Sequence, residues 1–393
     1  MDENLTVTGP RFDGENPDEW RANTSHRITL SNNIVAEGLS VATHAEGEHS
    51  KGSLIHDNVT EIAVIKNLYA NNMARNPVFK AGARGVMMNN VIYNPGRIGM
   101  QFSTVYDEWS EELASSGDGL PEEALISVVG NSLHWGPLNS FFGNPIPLFV
   151  ALDEFAGVPS LEDWHALSVY FEDNRRFDHF GALNSLIPLL TNEQGRSVSQ
   201  YVTESKPIWH DSLDVISSRD LPSYIVGNAG ARPWESDPVD NRILLDWLNL
   251  SGALVNFETD VGGFPEFEPT KRGDLWDSDK DGLPDEWERL KGLDVTLADS
   301  LERGLRGDGY TNLEVYLHEL SSLRVGDEAS LVIEIAEDDF VLRWENMPSG
   351  GWIESSTNLK EWDTLLAGPS ISGLRRITGL NGMTVFYRWV AGN

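Results

Sequence analysis

A short apolar stretch that runs into asparagine recurs along the first half of this chain. Ile28-Thr29-Leu30-Ser31-Asn32-Asn33-Ile34-Val35 is the first copy, and Ile62-Ala63-Val64-Ile65-Lys66-Asn67-Leu68-Tyr69 is the second. Val86-Met87-Met88-Asn89-Asn90-Val91-Ile92-Tyr93 and Ile126-Ser127-Val128-Val129-Gly130-Asn131-Ser132-Leu133 follow, and Val169-Tyr170-Phe171-Glu172-Asp173-Asn174 is a weaker fifth. Apolar residues at alternate positions make each a strand with one buried face. Asparagine suits the bend that follows, because its amide bonds nearby backbone and tolerates left-handed conformations. A short strand cannot bury its face alone, so a recurring one buries it by stacking coil on coil. The copies start about twenty to about forty residues apart, which fits coils with loops inserted on one side. Stacked coils would align the asparagines into a ladder. A β-sandwich with Asn-rich turns is the alternative, and the recurrence of Asn after all five strands favours the solenoid.

Composition narrows the function. The chain has 393 residues with 29 Lys plus Arg against 61 Asp plus Glu, a net charge of −32. A phosphate backbone needs a basic footprint, so nucleic acid is excluded as a general partner. An anionic membrane surface is disfavoured for the same reason, and no apolar run approaches the roughly 20 residues of a spanning helix. With 0 Cys, thiolate zinc sites, disulfide frameworks and cysteine nucleophiles are excluded.

Within this acidic chain lies a basic island. Between Lys51 and Arg97 the bases are Lys51, Lys66, Arg75, Lys80, Arg84 and Arg97, against only Asp57 and Glu61. A local positive field in an acidic protein suits a polyanionic ligand. Lys51, Arg75 and Lys80 lie just beyond successive coils, so stacking is expected to gather them. No Gly-rich phosphate loop, nucleophile elbow or His-Glu-x-x-His helix occurs. His44, His49, His56 and His134 are candidate general bases, although isolated histidines are more often structural.

From about Lys271 the pattern changes. Asp277-Ser278-Asp279-Lys280-Asp281-Gly282-Leu283-Pro284-Asp285-Glu286-Trp287-Glu288 fits a twelve-residue calcium loop. Asp277, Asp279 and Asp281 take ligand positions one, three and five, and Gly282 permits the sharp turn at six. Leu283 offers a carbonyl, Asp285 acts through water, and Glu288 supplies the bidentate last ligand. A second Asp-Gly step, Asp308-Gly309, has Gly304, Arg306 and Val315 where ligands belong, so one site is expected and not two. The expected role of this calcium is structural. Helices are expected at Asp285–Lys291, ended by Gly292, and at Asn312–Leu320. Strands return at Leu331–Ile335, Phe340–Trp344 and Val385–Trp389 in a small all-β module. Trp352 and Trp362 in it could stack on sugar, but core packing is the expected role.

The stretch from Lys66 through Arg75-Asn76-Pro77 to Asn89-Asn90-Val91-Ile92-Tyr93-Asn94 resembles the pectate lyase family. Asp2–Leu5, Ala36–Leu39, His49–Gly52, Gly230-Ala231-Arg232-Pro233 with Asp237 and Asp240–Arg242, and Val261–Pro265 resemble it too. The resemblance implies an all-β fold, a right-handed parallel β-helix over 1–268. A small helical calcium-loop segment over 269–322 is similar to thrombospondin type 3 or dockerin segments. A small β-sandwich accessory module over 329–393 resembles the appendages of secreted bacterial polysaccharide-degrading enzymes. The implied activity is calcium-dependent cleavage of pectate (polygalacturonate) by β-elimination. Arg75 would be the base at carbon five, and Lys51 and Lys80 would hold the substrate carboxylate and assist. Arg84 would add to substrate binding, and Asp2 would be one ligand of a catalytic Ca²⁺. Relatives carry coils and further acids before the position of Asp2, and Met1-Asp2-Glu3-Asn4 has no leader-like run. The expectation is therefore an N-terminally incomplete β-helix and a secreted or cell-surface bacterial protein, with surface or polysaccharide attachment through the C-terminal modules. A non-catalytic polysaccharide-binding β-helix and a β-helical galacturonan hydrolase are the competing readings. A hydrolase needs paired carboxylates, whereas the motif centres on Arg75.

Overall fold

The computed structural model describes residues 3–9, 12, 15–40, 51–103, 122–142, 146–151, 166–178, 190–191, 199–231, 233, 236–266, 272–273 and 276–322, and beyond these 330–336, 339–345, 352–357, 363–367, 373–377 and 386–390. The chain forms two compact units, Met1–Phe264 and Pro265–Asn393.

The first unit repeats a three-strand coil. β1 (Glu3–Val7), β2 (His26–Ser31) and β3 (Ile34–Ala36) make the first turn, and β4 (Lys51–Ile55), β5 (Thr60–Ile65) and β6 (Leu68–Ala70) the second. β7 (Val78–Lys80), β8 (Arg84–Met88) and β9 (Val91–Tyr93) are the third, and β10 (Ile98–Ser103), β11 (Ala124–Val129) and β12 (Ser132–His134) the fourth. β13 (Ile146–Ala151), β14 (Leu167–Glu172) and β15 (Arg175–Phe177) complete a fifth, and β16 (Leu190–Thr191) follows. Corresponding strands stack into three sheets, ordered β1-β4-β7-β10-β13-β16, β2-β5-β8-β11-β14 and β3-β6-β9-β12-β15. All of these pairings are parallel, from Ile28 opposite Ile62 to Val128 opposite Phe171. This is a parallel β-helix, and parallel pairing rules out the antiparallel sandwich for this region.

Each apolar segment read from the sequence therefore spans two sheets, with the Asn at the bend between them. The residue before it is left-handed at every coil: Asn32, Lys66, Asn89, Gly130 and Asp173 have φ between 46° and 68°. The Asn that follows builds the expected ladder. Asn33 donates from its backbone N–H and its side-chain amide to Asn67 Oδ1, both at 2.9 Å. Asn67 does the same to Asn90 at 3.0 and 2.9 Å, and Asn90 to Asn131 at 2.8 and 3.0 Å. Asn131 continues to Asn174 at 3.0 and 2.9 Å. Each rung thus satisfies a backbone donor that the bend removes from the sheet ladder.

Alternation along the strands fills the coil interior. Ile62, Val64, Phe79, Met87, Phe102 and Ile126 belong to one continuous core and are nearly or fully buried. Each contributes roughly 1.5–3 kcal/mol of burial. The opposite face of the second sheet is covered too: Val86, Met88 and Val129 pack against Ile208, Trp209 and Leu213. The chain that supplies this cover returns along the row of left-handed bends. Ser218 bonds Asp173 through its N–H and hydroxyl at 2.8 Å each, and Ile216 N–H bonds Asn89 Oδ1 at 2.8 Å. Helix α3 (Leu221–Asn228) brings Tyr224 to Asn32, and Gly230 N–H bonds Asn32 O at 2.8 Å. Helix α4 (Pro238–Leu248) starts on an Asp237 cap with Pro238 in its first turn. Its Arg242 grips Glu37 through two guanidinium–carboxylate bonds, at 2.5 and 2.7 Å. Earlier on the chain lie α1 (Pro17–Asn23) and α2 (Pro137–Phe142).

The second unit contains α5 (Asp285–Lys291), closed by Gly292 at φ 76°, and α6 (Asn312–Ser322). Leu283, Trp287 and Val315 form their small buried core. Among the described residues, six strands make two antiparallel three-stranded sheets. β17 (Ser330–Ala336) and β18 (Asp339–Glu345) pair as a hairpin, and β21 (Gly373–Ile377) adds to β18. β19 (Trp352–Ser356) lies between β20 (Asp363–Ala367) and β22 (Phe386–Val390). Trp362 lies outside the described residues. Among the described residues no helix is long and apolar enough to cross a membrane.

Candidate functional site

The corner at which the chain enters the first sheet gathers Glu3, Lys51 and Arg75. Glu3 and Lys51 open β1 and β4 and are directly paired in register. Lys51 bridges in parallel to Ala74 on the next turn. Arg75 follows in a left-handed conformation, φ 59°. Its backbone is held close: Ser53 N–H bonds Arg75 O at 2.7 Å, and a Cβ at Gly52 would lie 2.5 Å from that oxygen. Glycine at 52 is therefore required for the approach. The Arg75 guanidinium pairs with Glu3, whose carboxylate is only 2% exposed while the Arg75 side chain remains 27% exposed. Three successive coils thus bring one acid and two cations to one corner, with the Arg75 side chain partly exposed.

Lys80 is placed differently. It ends β7, one residue beyond Phe79, which pairs with Ile55 at the far end of β4. Lys51 and Lys80 are therefore separated by roughly 15 Å along the sheet, at about 3.3 Å per residue. Lys80 is 7% exposed and lies opposite Ser103 on the next coil. Arg84 opens β8 and bonds Glu122 at 2.6 Å, an oxygen it shares with Arg21 at 2.6 Å. Lys66 lies over the Tyr224 ring at 5.0 Å, and Arg97 over Phe142 at 5.5 Å. The basic island is thus spread over several faces, and of the expected group Lys51 and Arg75 share the corner with Glu3.

Glu3 was not legible from the sequence as part of this group. Glu3 falls within Asp2–Leu5, but that stretch alone does not give it a partner, because Lys51 and Arg75 lie one and two coils away. Asp2, expected as a ligand of a catalytic calcium, lies outside the described residues. Groups of three acids close enough to share one ion occur, among the described residues, only between Asp277 and Asp299. The described residues around Arg75 therefore do not make a calcium cage.

Of the histidines, His134 is buried and stacks on Phe177 at 4.4 Å with Trp247 edge-on at 5.4 Å. Burial pushes it down to about 3, so it stays neutral and belongs to the packing. His56 lies 2.9 Å from the Asp57 carboxylate. His44 and His49 lie outside the described residues.

The acidic loop is folded on itself. Asp277 accepts from Asp281 N–H at 3.2 Å and Gly282 N–H at 3.0 Å, and Gly282 takes φ 100°. Asp277, Asp279 and Asp281 bring carboxylate oxygens within 4.8 Å of one another. Asp285, at the start of α5, is engaged elsewhere: it accepts from Ser278 N–H and Oγ, both at 2.7 Å, and from Arg289 at 3.0 Å. Glu288 is fully buried, and neither of its carboxylate oxygens has a hydrogen-bond partner. Burial, then repulsion from Asp279, Asp281, Asp299 and Asp285, pushes this carboxyl up to about 7. The carboxylates of this cluster repel one another. In the second Asp-Gly stretch, Asp308 pairs with Arg306 at 3.2 Å.

Comparison with known proteins adds a lineage. A probable pectate lyase C of Aspergillus flavus is 30% identical over 305 residues, covering 75% of this chain and 59% of that protein. One from Aspergillus oryzae matches at the same 30% over 305 residues, and one from Emericella nidulans at 28% over 308. The chain spans 59% of the length of these relatives. They are fungal, so the expected bacterial source gains no support from them. No family model matches the chain. Its three stacked parallel sheets form a parallel β-helix, and over 75% of its length the chain is similar to these probable pectate lyases.

Proposed function

We propose that the protein is a secreted polysaccharide lyase that cleaves polygalacturonate by β-elimination at the Glu3–Lys51–Arg75 corner. The observation that carries this reading is the pairing of a partly exposed Arg75 with buried Glu3 beside Lys51, in a chain similar to probable pectate lyases. In such a reaction a base takes the proton from carbon five, the electron pair forms a carbon four–carbon five double bond, and the bond to the oxygen on carbon four breaks. Water reprotonates the leaving oxygen. Arg75 is the proposed base and acts only as the neutral guanidine, so its pairing with Glu3 must open when substrate binds. Lys51 supplies a positive charge for the uronate carboxylate as negative charge builds on it. Lys80, largely buried, and Arg84, paired with Glu122, lie away from this corner, and their proposed part is to add positive field for neighbouring uronates. The test is to incubate the chain with polygalacturonate and follow ultraviolet absorbance of the unsaturated ends. Absorbance growth supports the reading, and binding without product would favour the non-catalytic alternative.

We also propose that the 277–288 loop holds one structural Ca²⁺ through Asp277, Asp279, Asp281, the Leu283 carbonyl and Glu288. Two buried, unpartnered Glu288 oxygens beside further carboxylates fit a hard cation with oxygen ligands. Chelation is then expected to destabilise the α5–α6 segment by about 2.7 kcal/mol relative to calcium held at a hundredfold its Kd. Hydrogen exchange at Leu283 and Trp287 measures this, and unchanged exchange would contradict it. The two antiparallel sheets are proposed to serve stability or surface attachment.

A further inference from the structure

We infer that Asp299, eleven residues beyond the loop, is a direct ligand of this cation and takes the place the loop pattern gives to Asp285. The inference rests on the calcium reading of the 277–288 loop and extends it. Asp281, Glu288 and Asp299 bring carboxylate oxygens within 4.8 Å of one another, a second triad that shares Asp281 with the loop's own. Glu288 is fully buried and both its oxygens lack a hydrogen-bond partner, so an otherwise unsatisfied acid points into the space between Asp281 and Asp299. Burying an ionised carboxylate without a partner is prohibitive, and two further carboxylates are the wrong partners. A divalent cation resolves all three at once. An all-oxygen set without His or Cys selects a hard ion, and these groups approach the roughly six to eight oxygens that Ca²⁺ takes.

The fold holds Asp299 for this purpose. Asp281 accepts from the N–H groups of Asp299 at 2.9 Å and Ser300 at 2.7 Å. Asn312, at the start of α6, donates its amide to Asp299 O at 3.0 Å and to its carboxylate at 3.2 Å. Asp299 is 9% exposed. Meanwhile the Asp285 carboxylate is committed to Ser278 and Arg289. The ion would therefore join three pieces of chain: the loop, the turn carrying Asp299 and, through Asn312, the start of α6. It works as a clasp for the small Leu283–Trp287–Val315 core and not as a loop-only site. The similarity to the pectate lyases C covers 75% of this chain, which is longer than the first unit and must run through this loop.

Terbium is the probe. Tb³⁺ occupies calcium sites, and Trp287, next to Glu288, sensitises its emission. The full chain is titrated with Tb³⁺ and the signal displaced with Ca²⁺. Asp299→Asn keeps the shape and its oxygen acceptor but removes the charge, and is expected to weaken binding at least about tenfold. Asp294→Asn removes an acid of the same segment that lies outside the triad, bonded to Thr296 at 3.0 and 2.7 Å, and is expected to leave affinity within about threefold. Wild-type affinity in Asp299→Asn, or equal loss in both variants, overturns the inference and leaves the loop site standing. No sensitised emission from the unaltered chain overturns the loop reading itself, and this inference with it. Circular dichroism identifies an Asp299→Asn chain that has lost its fold. Asp299→Glu, which keeps the carboxylate, then carries the test: binding recovered relative to Asp299→Asn supports the ligand role, and none recovered overturns it.

Discussion

Replacing Arg75 with Lys is expected to abolish nearly all lyase activity, by about 10²- to 10⁴-fold, while leaving the protein folded. Lysine retains a positive charge for buried Glu3, so the acid is not left unpaired. It cannot reproduce the planar guanidinium or its reach to the solvent side of the corner. Arg75→Ala should lose activity to the same extent but also lose stability, because truncation strands a carboxylate that is 2% exposed. The two variants therefore separate the chemical role from the structural one. Both are assayed for unsaturated product and for thermal midpoint. Arg75→Lys within a few-fold of wild-type activity would remove Arg75 from the mechanism.

The second large effect is on stability. Asn90 lies at the middle of the ladder and is fully buried. Its carbonyl accepts from Asn67 twice, and its amide donates to Val64 O at 2.8 Å and Met88 O at 3.2 Å as well as to Asn131. Asn90→Ala leaves the Asn67 N–H and the Val64 carbonyl without this partner, at about 1–3 kcal/mol each, and adds a cavity. A loss on the order of 4 kcal/mol corresponds to a fall in Tm of roughly 10 °C for a unit of this size. Asn174→Ala, at the end of the ladder where the side chain is half-buried, is expected to cost less than half as much. Calorimetry of both variants decides the matter. Equal, small shifts would show that the ladder is a decoration of the bends.

The ladder was legible because its chemistry is local: an apolar pair of strands and the Asn between them sit together in the sequence. The strands of the first sheet were not. β7 has three residues and follows Pro77, and β4 and β10 contain Gly52 and Gly99, so none shows a clean alternation. The candidate site was harder for the same reason. Arg75 and Lys80 are close in sequence, but an extended strand carries them to opposite ends of the first sheet. Glu3 and Asp299 gain their proposed roles only from residues brought beside them by the fold. The calcium-loop helices were readable from their boundaries, Gly292 above all. A signal for α4 also existed in Asp237-Pro238, a cap followed by proline.

Mass spectrometry of the products from polygalacturonate tests the central proposal most directly. β-Elimination at the Glu3–Lys51–Arg75 corner predicts oligomers whose new non-reducing ends carry a double bond and are lighter by one water than hydrolytic ends, with none formed by Arg75→Lys. Oligomers with fully hydrated ends, or unsaturated oligomers formed equally well by Arg75→Lys, would contradict the account.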